Sequence, residues 1–168
     1  MKTKFLITSV MALVLATAVY AQPGIVKDAQ EAYGNYTVLR NLKDPISTAK
    51  ATSTINDAKT AIDKAGTNAK AIALPVTFAV KAEIYASLAL REKDPALSTP
   101  LFATAEDAVK KAKEMDTKGE NKKAIDEAED LLGQYKYYDG IKQYQAAKYD
   151  AAYDDFDYFR TFAFERGL

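Results

Sequence analysis

Residues 140–156 read Gly140-Ile-Lys-Gln-Tyr144-Gln-Ala-Ala-Lys-Tyr149-Asp-Ala-Ala152-Tyr-Asp-Asp-Phe156. Gly140 and Ala152 are small enough to let two helices approach closely, and Tyr144, Tyr149 and Phe156 supply the bulk to fill the space between them. The stretch therefore reads as the end of one helix, a short turn and the start of the next, an αα-hairpin. Working outward, Ile125, Ala128, Leu131, Leu132, Tyr135, Tyr138 and Ile141 extend the first of these helices back toward Gly119 at steps of three or four. Tyr149, Ala152, Tyr153, Phe156 and Phe159 are the expected packing face of the second.

The same periodicity continues upstream. Val26, Ala29, Ala32, Tyr33, Tyr36 and Leu39 make one apolar stripe over about 25–41, and Pro45 suits the first turn of a second helix ending at Gly66. That helix is expected to turn Ile46, Ala49, Ile55, Ala58, Ile62 and Ala65 inward. A third helix starts near Pro75. Its two apolar rows, Phe78, Ala82, Tyr85, Ala89 and Val76, Val80, Ile84, Leu88, predict a central position. Residues 94–100, with Pro95 and Pro100, read as a breaker before a fourth helix on the stripe Leu101, Ala105, Ala108, Ala112, Met115. β-Branched runs of strand length are absent, so the fold class is all-α. Six helices in short-loop succession make three antiparallel hairpins with an inexact period near 50 residues, and these are expected to form an open stack.

The order Gly140, Tyr144, Tyr149, Ala152, Phe156 resembles a tetratricopeptide repeat (TPR), which places a small residue at the helix crossing, then an aromatic, then Tyr, Ala and an aromatic on the second helix. Ala147 stands where the family's turn usually has Gly, Phe159 where a small residue is usual, and Phe164 where Pro often closes the repeat. The match covers one repeat, about 135–164, and only fragments such as Ala82, Tyr85 and Leu88 appear upstream. The resemblance implies a right-handed helical stack over 22–168 and a partner-binding scaffold of the exported bacterial TPR kind.

At the other end, Lys2 and Lys4 precede an apolar run from Phe5 to Val19, and Val19, Tyr20, Ala21 put small side chains where a signal peptidase reads. Residues 1–21 are expected to be a cleaved signal peptide, with the mature chain starting at Gln22. The run is short for a bilayer span, and no Cys stands at the cleavage point for a lipoprotein's acylation. The mature protein is thus expected to be soluble and periplasmic or secreted, with 21 basic against 23 acidic groups and a net charge of −2.

The full chain of 168 residues has no His and no Cys. That excludes Ser-His-Asp and Cys nucleophile chemistry, zinc fingers and iron–sulfur clusters. Asp150, Asp154 and Asp157, at steps of four and three, are read as a solvated acidic face. Asp116 to Asn121 fails as a calcium loop because Lys118 takes a required oxygen-ligand position. Lys110, Lys111, Lys113, Lys118, Lys122 and Lys123 are interleaved with Glu114, Asp116 and Glu120 and do not make a nucleic-acid stripe. No catalytic residue, metal site or cofactor is expected.

What remains is an excess of aromatics. Of the 18 Tyr and Phe residues, 11 lie between Tyr135 and Phe164. Tyr137, Tyr144, Tyr158 and Phe162 are the candidate partner-binding side chains, and Gly140, Tyr149, Ala152 and Phe156, with Tyr135 and Tyr153, the packing set. Tyr158 and Phe162 form a second aromatic face on the last helix. It docks on a partner or a second copy of the chain, belongs to a longer array of which this is the N-terminal part, or folds back on the fourth and fifth helices. The expected function is a non-enzymatic scaffold for a peptide or protein partner; the alternative is a chaperone-like or glycan-binding protein holding an extended polymer.

Overall fold

The computed structural model describes residues 23–167, so the expected signal peptide and its cleavage point lie outside the described residues. Six α-helices and no strand occur among them: α1 Gly24–Leu39, α2 Pro45–Ala65, α3 Pro75–Arg91, α4 Pro95–Met115, α5 Lys122–Gln145 and α6 Tyr149–Arg166. Three helices start on a proline, whose fixed φ and missing N–H suit the first helical position. At two of them the tripeptide Lys-Asp-Pro recurs, at 43–45 and 93–95, 50 residues apart. Asp44 caps α2 by accepting from the Ser47 N–H at 2.9 Å, and Asp94 caps α4 by accepting from the Ala96 N–H at 2.9 Å. The third turn lacks the tripeptide and instead holds Ala147 at φ 57°, in the left-handed region that glycine fills without strain.

Short connections and extensive contact pair α1 with α2, α3 with α4, and α5 with α6. α3 also packs on α1, α2 and α5, which puts it at the centre. Its buried residues accordingly surround the helix, from Thr77, Ala79 and Val80 through Ile84, Ala86 and Ala89. Contacts order the odd-numbered helices in register. Tyr33 and Tyr36 of α1 meet Ser87 and Arg91 of α3, and Glu83 and Ser87 share clefts with Glu127 and Leu131 of α5. α1, α3 and α5 therefore run parallel, side by side, and α2, α4 and α6 return behind them.

The α5/α6 hairpin closes like a zipper. Phe156 lies on Gly140, where an added Cβ would sit 2.9 Å from the ring, and Phe162 lies on Gly133, where it would sit 2.6 Å away. Glycine is required at these two points because the rings occupy the space of a side chain. Arg166 pairs with Asp126 and Asp130 at the far end.

Four details correct the sequence reading. Ile46 and Ala49 are exposed, and the α2 stripe instead starts at Ala51 and runs through Ile55, Ala58, Ile62 and Ala65. Residues 95–100 are the first turns of α4: Pro100 forfeits one backbone bond where the chain faces water. Phe102, absent from the expected stripe, is buried and stacks on Tyr135 at 4.8 Å between ring centroids. Tyr149 and Tyr153 are exposed, because the buried face of α6 runs through Ala152, Asp155, Phe156 and Phe159.

Candidate functional site

The four aromatic residues proposed for partner contact occupy different settings. Tyr144 is exposed, meeting Tyr149 edge-on at 5.6 Å, and Tyr137 is partly covered by Phe156 and Phe159. Tyr158 turns inward, its ring 5.9 Å from Phe102 and its hydroxyl near Glu106; burial first, and that carboxylate next, raise its pKa. Phe162 is taken up by Gly133. The second aromatic face of α6 therefore folds back on α4 and α5, and Tyr158 and Phe162 are packing residues. Phe164, by contrast, is exposed.

The acidic and basic runs disperse in the same way. Asp155 pairs with Lys136, Asp157 with Arg160, Lys113 with Glu129 and Lys122 with Asp126. No group of three or more carboxylates is assembled to hold a metal among the described residues.

A different surface gathers concave space and uneven charge. The parallel faces of α1 and α5 flank α3 and leave a trough, in which Glu127 reaches across to α1. Its carboxylate accepts from the Tyr33 hydroxyl at 3.4 Å and lies 3.8 Å from the Arg40 guanidinium. On one side of this bridge is a cleft of about 360 Å³ containing Gln30, Glu83, Glu120, Asn121 and Lys123. On the other is a cleft of about 440 Å³, with Leu39, Leu90 and Leu131 on its walls and Arg40 and Arg91 at its rim. Both guanidinium groups rest near the Tyr36 ring, at 5.7 and 5.4 Å from its centroid, and Arg91 also donates to the Thr52 hydroxyl at 2.8 Å. These contacts fix two long side chains that would otherwise be mobile.

Sequence reading missed Arg40 and Arg91 because they are far apart in the chain, and only the parallel register of α1 and α3 unites them. It also passed over Glu83, although an acid inside the apolar window 76–90 is a visible anomaly. Glu83 is buried; burial first, and Glu127 second, raise its carboxyl to about 8, against a smaller opposing effect of Lys123. Facing it are Tyr33 from α1 and Glu127 and Lys123 from α5. Tyr33 is itself held neutral, its pKa raised mainly by burial.

The sign of the resulting pH effect follows from linkage. A carboxyl raised in the folded state leaves its stability contribution intact below the unfolded value near 4.5 and loses it as pH climbs to about 8. Glu83→Gln is therefore expected to match the wild type at pH 4 and exceed it by roughly 4–5 kcal/mol at pH 8.5, read by urea denaturation at both pH values. Equal stability at pH 8.5 would mean that the carboxylate is already solvated.

No known protein family matches this chain, and comparison with curated proteins and with solved structures gives no match either. No described helix is long and apolar enough to cross a membrane.

Proposed function

We propose that this chain is a non-enzymatic interaction scaffold, exported to the periplasm or cell exterior, that binds a peptide or protein partner on a helical-repeat face of the TPR kind. The observation that carries this reading is the trough along α1, α3 and α5, with fixed polar groups throughout and leucine walls in one of its two clefts. Parallel helices from successive hairpins present such a face, and the recurrence of Lys-Asp-Pro at the first two hairpin turns fits a repeated unit.

A photo-reactive phenylalanine analogue at Leu42, on the trough rim, should cross-link one or two envelope proteins, while the same group at Lys110 on the outer side of α4 should not. Equal yields from both positions would remove the trough from consideration. The alternative, retention of an extended polymer such as a glycan, is favoured by the exposed rings of Tyr138, Tyr144, Tyr149 and Tyr153. Cross-linking from Tyr144 in place of Leu42 would move the binding surface there.

A further inference from the structure

We propose that the arginine-rimmed cleft of the trough selects acidic segments, binding a peptide in which an Asp or Glu stands beside an aliphatic residue. This rests on the scaffold reading and specifies its partner.

The first support is charge. The twelve residues lining the cleft include two arginines and no Asp or Glu. Arg91 makes no ion pair among the described residues; its guanidinium donates only to the neutral Thr52 hydroxyl there. A guanidinium has five N–H donors in a planar fork, so most of the Arg91 fork is open to a carboxylate, which can accept two of them side by side. Arg40 is only partly neutralised, since Glu127 stands 3.8 Å away, beyond good hydrogen-bonding range. The C-terminal poles of α1 and α3 would repel an anion here, but α2 enters with the opposite pole and contributes Thr48 from its first turn.

The second support is the apolar wall. Leu39, Leu90 and Leu131 give one aliphatic side chain a place next to the guanidinium groups, and Tyr36 keeps those groups at a fixed height above it. A free small carboxylate would satisfy the arginines alone. The apolar lining, however, reaches Leu42, about half exposed at the edge of the cleft, which a longer ligand can cover. A segment of chain answers both features.

The test uses an array of fluorescent heptapeptides randomised over Asp, Glu, Leu, Val and Gly, with the same peptides carrying Asn and Gln for the acids. Binding of the acidic–aliphatic members by the full chain is expected, weaker by about tenfold for the neutral set and falling as salt rises. Arg91→Met and Arg40→Met should each cost roughly tenfold, with the helical circular dichroism signal and melting temperature checked to show that the fold persists. Neutral peptides binding equally well, or indifference to Arg91→Met, would overturn the acidic preference while leaving the scaffold reading intact. Competition by glutarate at the concentration of the peptide would overturn the peptide assignment. Absence of any peptide binding would sink this inference, and cross-linking from Leu42 would still judge the scaffold independently.

Discussion

Lys136→Met should destabilise the protein by about 3 kcal/mol, a larger loss than a surface ion pair could give. The Lys136 ammonium donates to Asp155 at 2.7 Å, and the Asp155 side chain is only 8% exposed. It also lies 5.0 Å from the centre of the Phe102 ring and 5.7 Å from that of Tyr158. One cation thus joins α5 to α6 and caps two rings on the inner side. Removing it leaves a carboxylate buried without a partner, and the cost is that of an unpaired charge in a poorly solvated place. The double variant Lys136→Met, Asp155→Leu should recover most of the loss, since apolar residues often replace a buried pair at little cost. Thermal melts at pH 7 would check both points; a single variant within about 1 kcal/mol of wild type would show that water reaches Asp155.

Ile84→Ala is expected to cost about 4 kcal/mol, and Ile46→Ala close to nothing. The residue type and substitution are the same. Ile84 is fully buried in α3, the helix that touches α1, α2, α4 and α5, whereas Ile46 is 81% exposed in the first turn of α2. A cavity at Ile84 removes contacts that no single neighbour can restore. Because α3 is shared, the loss should appear as one earlier transition rather than as the melting of one hairpin. Urea denaturation followed by circular dichroism measures both; a biphasic curve for Ile84→Ala would show that the hairpins unfold separately.

How far the sequence could be read varies with the kind of signal. Helix positions were legible because apolar spacing and the prolines at 45 and 75 are local features. The central place of α3 was legible too, since apolar residues on two sides need neighbours on two sides. The breaker reading of 94–100 failed because Pro100 sits near the start of α4, where one lost bond faces solvent. The α6 face was misassigned for a subtler reason. Tyr149, Tyr153 and Phe156 make one stripe, and Ala152, Phe156, Phe159 and Ala163 another; both contain Phe156. The two glycines of α5 decide between them, because their grooves admit the rings of Phe156 and Phe162. That is tertiary information, as is the meeting of Arg40 and Arg91 over Tyr36. The Lys-Asp-Pro pair was in plain view and gives the spacing of the first two turns more sharply than the apolar pattern does.

Glu127 has a mechanical consequence. It ties α5 to α1 across the trough through Tyr33 and Arg40, joining residues 94 positions apart in the chain at the Tyr33 contact. Neighbouring hairpins pack on one another through α3, while the first and third meet here through long, partly solvated contacts. The softest deformation of the molecule is therefore a flexing of the outer hairpins about α3. Its stiffness is set in part by one carboxylate, and a ligand that drew Arg40 away from Glu127 would loosen the trough in the act of filling it.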